Sequence, residues 1–600
     1  MTAILGTLSV APPERRAVRA RSRSRARPRS LAIACASVVL AAVVAIAGPR
    51  EALAAWPTNP STNLAVCNAA GVQAYHGAIT DGQGGMFIAW ADSRTGTNDI
   101  YVQHIGVAGT ALWNATGRLV CGAGGDQDQP VLVPDGTGGV IVAWRDFRNG
   151  VTGDIYAQRI DATSTPAWPT NGIAVCVAPG EQAFPVIVSD ERTLAPGPVS
   201  ASNPLGAIIA WEDWRSTITI HAQRIDASGA AKWTASGMSL SASSAPQFDP
   251  ACVADGSGGA FVVWSQQGLG TYDVAGQHVA SDGSLQWGAN GTIVSSAPGA
   301  QVHPVVCRDG ADGAFVTWED HRGADTDVYG QHVSYFGVLQ WLSAGQPICT
   351  AAGDQWQPMI APDGTGAALV AWTDQRAGSD IYAQRVLADG SAVWGASGLA
   401  VGAAANVQQF PSIVGDGRGG AIVAWEDYRS GTIADIFAQR VSPAGAPVWT
   451  VNGQPVSTAS GNQYGATVVA DGDTVGIVVW TDQRAGGSDI YCQRVPLVIT
   501  LDAAPSAPVT VRLAAAPNPA FGAVSFAFTL AREGDVDLAV YDASGRRVRT
   551  LARGRRAAGA HSVAWDARDD AGRACAPGAY WARLRVDGAH LGSGAVTLRR

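Results

Sequence analysis

One lysine, Lys232, stands in 600 residues, so the remaining basic side chains are arginines. Charge paired through planar guanidinium groups favours forked, partly buried contacts with carboxylates. The short motifs that announce chemistry are missing too. No His-Glu-x-x-His, no Gly-x-Ser-x-Gly and no Cys/His metal spacing occurs, so no catalytic residue, metal or cofactor is assigned. Long apolar runs are absent except for one, Leu31 to Gly48. It follows an arginine-rich stretch, Arg15 to Arg29, and precedes Ala52-Leu53-Ala54. That order reads as an export signal over 1–54, with an uncleaved membrane anchor as the rival reading. Cys35 lies inside the run with apolar residues still to come, which argues against a lipoprotein cysteine. Without residues 1–54 the chain has 32 basic against 47 acidic side chains, a net charge of −15. That excludes a nucleic-acid partner, and no membrane-spanning helix remains after cleavage.

Eight cysteines follow the signal, an even number that would suit disulfides in an oxidising compartment. Four of them, Cys67, Cys121, Cys176 and Cys349, recur at one position of a repeat. Equivalent positions in a radial array are held a blade apart, so these cysteines read as small buried hydrophobes rather than bridges.

The repeat organises most of the chain. The phrase "AWTDQRAGSDIYAQRV" at 371–386 returns eight times, its first tryptophan at Trp90, Trp144, Trp211, Trp264, Trp318, Trp372, Trp425 and Trp480. The one long spacing comes from an insertion, "ERTLAPGPVSASNP", after Asp190. A second tryptophan recurs from Trp56 to Trp449, usually with a glycine a few residues on. A glutamine recurs at 73, 127, 182, 247, 301, 355, 408 and 463, often with proline three residues later. Each unit of about 54 residues predicts four short strands: one after Gln-x-x-Pro, a continuous apolar one after an Asp-Gly turn, "DIYAQRV", and a last one around the second tryptophan. The expected fold is all-β: an eight-bladed β-propeller over 55–498, followed by a linker at 499–513 and a small Ig-like β-sandwich at 514–600. Trp56 stands before the first unit and the last unit lacks its second tryptophan, so an N-terminal strand can complete the last blade.

Trp372, Asp374 and Arg376 are two residues apart and leave one face of an extended strand, where the arginine can lie over the indole and fork onto a carboxylate. The same triplet stands at Trp90-Asp92-Arg94, Trp144-Asp146-Arg148, Trp425-Asp427-Arg429 and Trp480-Asp482-Arg484. Seven of the eight units keep both charges, and the fourth, "WSQQG", loses both together through Gln266 and Gly268. Joint loss avoids stranding a buried charge, so the triplet reads as structural. The recurring glutamines satisfy backbone groups at blade ends, or alternatively form a ring facing a central channel. The Asp-Gly-x-Gly-Gly turns (Asp135, Asp255, Asp363, Asp416) offer one carboxylate each, too few for calcium, and read as turn chemistry.

Function in a symmetric scaffold is expected where symmetry breaks. Units three to five depart most, with the insertion, the missing ion pair, and Trp214, His221, Asp249, His303 and His321. These five residues are the candidate ligand site, and drift in a scaffold without a site is the bland alternative. The Ser-x-Asp-x-Gly-x-Thr-Trp box of sialidase blades is absent, and most arginines already have partners.

The repeat region resembles secreted bacterial propeller repeats with a Trp-x-Asp-x-Arg…Asp-Ile-Tyr-Ala-Gln-Arg pattern, a resemblance that implies a scaffold and no substrate. In the C-terminal segment Val524, Phe526 and Phe528 alternate on one strand and Val536, Leu538 and Val540 on the next, with a turn at Asp542-Ala-Ser-Gly545. Pro517-Asn518-Pro519, Val540-Tyr541-Asp542, Gly545-Arg546, Trp565-Asp566 and Gly578-Ala579-Tyr580 carry a resemblance to the Ig-like domain of flagellar hook-capping proteins (FlgD-like), found also in C-terminal sorting domains of the type IX kind. That resemblance implies delivery to, or retention at, the cell surface, with a plain structural cap as the alternative. The tail "GAVTLRR" lacks the lysine-containing finish of such signals. The expected protein is therefore exported and non-enzymatic, with an extracellular glycan or protein as partner. The alternative is an extracellular glycan-acting hydrolase or lyase on the same scaffold.

Overall fold

In the computed structural model the described residues are 56–191, 204–268, 270–470, 475–495 and 514–599, except 517, 519, 521, 531–533, 543–546, 558 and 587–588. The signal segment, the linker 499–513 and most of the insertion after Asp190 lie outside them. All described regular elements are strands.

The repeats fold into eight four-stranded antiparallel sheets. Blade 1 consists of Gln73–Thr80, Met86–Asp92, Asp99–Ile105 and Arg118–Cys121, and six further blades follow the same chain order. The second strand is apolar along its whole length because it is covered on both faces: every residue of Met86–Asp92 and of Ala368–Asp374 is buried. One correction concerns the fourth strand. The second tryptophan lies in the loop before it, and Trp113 precedes Arg118–Cys121.

Blade 8 closes the ring. Its first three strands are Gln463–Ala470, Gly476–Asp482 and Asp489–Val495, and its outermost strand is the N-terminal Leu64–Cys67, with Leu64 opposite Cys492. Blade 8 then packs on blade 1 through one shared core containing Val66, Met86, Trp90, Ile477 and Val479. The Gln73 amide donates to the Ser488 carbonyl at 2.7 Å across the same seam.

The second tryptophans strap blade to blade. Trp113, Trp168, Trp233, Trp287, Trp341 and Trp394 each donate the indole N–H to a backbone carbonyl of the following blade, at 2.8–3.4 Å. Trp56 does the same for blade 8, reaching Val107 O of blade 1 at 2.9 Å. The strap loop is held by a glutamine the repeat pattern did not single out, that of "DIYAQR". Buried Gln384 donates to Gly395 O and accepts from the Trp394 amide. The glycine after the strap is forced by packing: at Gly398 a Cβ would lie 2.4 Å from the Trp372 ring, at φ +79°.

Inside each blade the triplet is built differently from expectation in one respect. The first tryptophan is fully enclosed and donates Nε1–H to Oδ2 of its aspartate at 2.7–3.0 Å in seven blades. The arginine forks onto that aspartate, with Nη2–Oδ2 at 2.6 Å in six blades and the same pair in Arg94–Asp92. The guanidinium stacks on the aromatic ring of the third strand and not on the indole. Arg376 lies 4.0 Å over Tyr382, and Arg429 lies 3.7 Å over Phe437. The indole is already enclosed by strap glycine and blade neighbours, whereas the ring opposite it in register leaves one face open. Each enclosed indole removes on the order of 200 Å² from water, roughly 5 kcal/mol of transfer free energy before ordering entropy is subtracted.

All eight described cysteines are free. The repeated thiols face the next blade's triplet: Cys121 Sγ lies 3.7 Å from Asp146 Oδ2 and 3.2 Å from Arg148 Nη2. Burial pushes the Cys121 thiol up to about 12, so it stays protonated and donates.

The C-terminal module is a sandwich of a three-stranded sheet (Ala514–Ala516, Val524–Leu530, Gly559–Trp565) and a four-stranded one (Arg547–Arg556, Gly534–Asp542, Gly578–Val586, Ala589–Leu598). Val524, Phe526, Phe528, Val536, Leu538 and Val540 share its core with Trp565.

Deleting residues 55–67 removes the outer strand of blade 8 and its strap, and exposes the unpaired edge of Asp489–Val495. Size-exclusion chromatography of this variant is expected to show self-association and calorimetry a broadened unfolding transition. A monomer with the parent's transition would contradict closure by that strand.

Candidate functional site

The first strands of neighbouring blades, blade 8 and blade 1 included, pack side by side. They therefore form the inner wall of the ring. Each carries a bulge two residues after its glutamine, where pairing with the second strand jumps, in blade 1 from Ala74 to Gly77. The bulge residues are Tyr75, Gln129, Phe184, Asp249, His303, Gln357, Phe410 and Gly465, and all have positive φ, between 51° and 69°. Six precede a proline, a position where the extended region is the norm. Seven are not glycine, although glycine would adopt this backbone without strain.

The glutamines themselves do not face a channel. Gln127, Gln355 and Gln463 are fully buried and donate to loop carbonyls such as Gly125 O and Gly353 O. It is the bulge residue that points out: Tyr75, Phe184 and Phe410 are 64%, 51% and 40% exposed. Several bulge amides are held by a carboxylate of the preceding blade. Glu212 accepts from Asp249 N, Glu319 from Gln357 N and Glu426 from Gly465 N, at 2.7–3.0 Å.

In a closed ring of eight, blades four apart are opposite. Phe184 of blade 3 thus faces Phe410 of blade 7, and Gln129 of blade 2 faces Gln357 of blade 6. The bulges of blades 2 to 5 line a cavity of about 430 Å³ whose walls are Gln129, Phe184, Asp249, His303 and the prolines that follow them.

His303 bridges two acids there. Its Nδ1 lies 3.1 Å from Glu319 Oε2 and its Nε2 lies 4.0 Å from Asp249 Oδ2. The hydrogen bond to Glu319, with the charges of Glu319 and Asp249, raises the imidazole above its ordinary value against the opposing effect of burial. Burial works to raise Glu319 as well, but the hydrogen bonds from His303 and the Gln357 amide outweigh it and hold that carboxyl below its usual range.

The five residues singled out from sequence separate into two groups. Asp249 and His303 adjoin. Trp214 reaches the same cluster through Glu212, its indole N–H lying 3.4 Å from Oε2. His321 sits in the loop after Asp320, with Nδ1 3.2 Å from Thr326 Oγ1. His221 is a correction: it is buried and stacks on Trp211 at 6.4 Å, filling the slot that tyrosine fills in most blades. Sequence reasoning missed Tyr75, Phe184 and Phe410. Variability alone does not single them out, since the residue directly after each glutamine changes from unit to unit just as much.

The face bearing this mouth is acidic. In six blades the triplet aspartate lies opposite an aspartate that opens the third strand, as Asp320 lies opposite Asp327, whereas Asp213 of blade 3 lies opposite Thr219. Burial, then Asp320 and Asp325, push Asp327 up to about 6.

Residues 517–589 match the FlgD Ig-like domain family, and the C-terminal module is such a domain. No curated protein sequence matches the chain. Among solved structures, a protein of unknown function from Dyadobacter fermentans is 9% identical over 73% of this chain and 98% of its own, with a TM-score of 0.34. The Hadza microbial sialidase Hz136 is 12% identical over 66% and 74%, with a TM-score of 0.31. A puromycin-hydrolysing peptidase from Mycobacterium tuberculosis is 15% identical over 67% and 57%, with a TM-score of 0.35. At such values none of the three bears on the chemistry here.

The raised Asp327 sets a pH dependence. A carboxyl that is harder to ionise in the folded state favours folding below its unfolded value near 4, and that contribution disappears as pH rises through about 6. Asp327→Asn is expected to raise the thermal midpoint at pH 7.5 and to leave it nearly unchanged at pH 4. An equal shift at both pH values would contradict the crowding of acids.

Proposed function

We propose that this is an exported, non-enzymatic binding protein whose propeller presents the axial mouth to an extracellular glycan, with the Ig-like domain serving sorting or surface retention. The observation that supports the glycan site is the ring of bulges. One left-handed backbone conformation recurs eight times, strained in the seven blades where the residue is not glycine, yet the side chain it displays differs among those blades. Holding a bulky residue at positive φ costs on the order of 1 kcal/mol, a cost that scaffold packing does not require. Exposed aromatic rings supply flat apolar faces for pyranose rings, and Gln129, Gln357 and Asp249 supply hydrogen-bonding groups for hydroxyls.

A hydrolase is the second reading, favoured by the Glu319–His303 pair, in which the carboxylate orients an imidazole whose other nitrogen faces the cavity side. A glycan array combined with a hydrolase screen on the purified protein separates the two. Retention without turnover is expected, with Phe184→Ala and Phe410→Ala each weakening it about tenfold, the scale of one lost aromatic stacking contact. Release of sugars that stops in His303→Ala would instead establish the enzyme.

Surface delivery has its own test. Removing 505–600 and fractionating the cells is expected to leave the propeller unattached or unsorted. Unchanged surface display would discard the sorting role.

A further inference from the structure

We propose that the axial mouth selects an amine-bearing, cationic oligosaccharide over neutral and anionic ones, an inference that rests on the saccharide reading of that mouth. It follows from where the charge is placed on the disc.

On the face away from the mouth the charges of the hairpin turns have partners, while other acids there, such as Asp282 and Asp389, stand exposed to solvent. In blades 1 to 7 the turn carboxylate is matched by an arginine or histidine from the third strand: Arg159 lies 2.8 Å from Asp135, Arg224 2.7 Å from Asp190, Arg385 2.6 Å from Asp363 and Arg440 2.8 Å from Asp416. His104, His278 and His332 occupy the same place beside Asp81, Asp255 and Asp309, each at 2.9 Å.

On the mouth face the charges do not balance. A triplet arginine forks onto its own aspartate, and the second aspartate across the strand pair has no arginine of its own. The pattern is Asp374 opposite Asp380, Asp427 opposite Asp435 and Asp482 opposite Asp489. In blade 4 the arginine is missing and Asp273 stands opposite Gln266. Glu212, Glu319 and Glu426 add to the surplus. Arg145, one further arginine on this face, is held by Asp128 at 2.6 Å and Glu181 at 3.2 Å. Among the described residues each arginine of this face is thus occupied by a carboxylate, and His303 is shared between two. A uronate or sialate would meet no available cation and would pay the repulsion of the surplus acids.

Asp249 is the carboxylate best placed to take an ammonium. Its side chain is 45% exposed, it lines the cavity beside Phe184, and its backbone is fixed by Glu212. A glucosamine-type unit presents both features this pocket answers, a ring face for the aromatic and a protonated amine for the carboxylate.

Isothermal titration of the full mature protein with three hexamers tests this: glucosamine, N-acetylglucosamine and galacturonate. At low salt the glucosamine hexamer is expected to bind about fivefold more tightly than its acetylated counterpart, the scale of a partly screened ion pair, and the galacturonate hexamer more weakly than both. The preference is expected to shrink at 0.5 M salt, to vanish in Asp249→Asn and to persist in Asp282→Asn, an exposed carboxylate of the opposite face. Equal or tighter binding of the acetylated or galacturonate hexamer, or a preference unchanged in Asp249→Asn, would overturn the charge selection while leaving a saccharide site in place. Failure of all three hexamers to bind would remove the saccharide reading and this inference with it.

Discussion

An aspartate held between an indole and a guanidinium is the constraint around which each blade is arranged. The carboxylate of Asp374 has no contact with water, so it needs every donor it receives: Trp372 Nε1, the Arg376 amide and the Arg376 fork. Those donors fix the end of the second strand, and the guanidinium passes the constraint on to Tyr382, to Ser397 O and to Cys349 of the blade before. Blade 4 shows that the unit is all or nothing. With Gln266 and Gly268 in place of acid and base, the stacking ring is gone too, replaced by Ala275 opposite Trp264. Three partners disappear together because any one left alone would be a buried charge without a counterpart or a ring without its cation.

A rigid wheel makes the inner wall usable. The bulges lie one strand inward from the triplets, and five of their amides are fixed from the preceding blade, three by Glu212, Glu319 and Glu426, that of Phe184 by Gln129 Oε1 and that of His303 by Ser265 Oγ, so these side chains start from a set position. The triplet positions are kept in seven of eight blades, whereas the side chain displayed at the bulge differs among them. Such a division suits a binding surface, since the scaffold tolerates any side chain at a site whose own backbone is held from outside.

The architecture was readable because its determinants are local and repeated. The Trp-x-Asp-x-Arg spacing gives one strand face, the Asp-Gly turns give hairpins, and the lone Trp56 implies closure. The stacking partner of the arginine was not readable from the strand alone, since Tyr382 meets Arg376 only through cross-strand register. The bulge was hidden for a different reason. A residue before proline is expected to be extended, and nothing in Phe184 or His303 announces a left-handed backbone until both neighbouring strands are in place. His221 illustrates the converse error. It looked exceptional as a residue type while filling an ordinary aromatic slot.

Equilibrium urea unfolding of a double-mutant cycle on Asp374 and Arg376, using the fourth unit's own replacements Asp374→Gln and Arg376→Gly, tests the central constraint most directly. Each single change is expected to cost about 3 to 5 kcal/mol, and the pair to cost at least about 2 kcal/mol less than their sum. Additive costs, or single changes below about 0.5 kcal/mol, would show that the buried carboxylate does not hold the blade together.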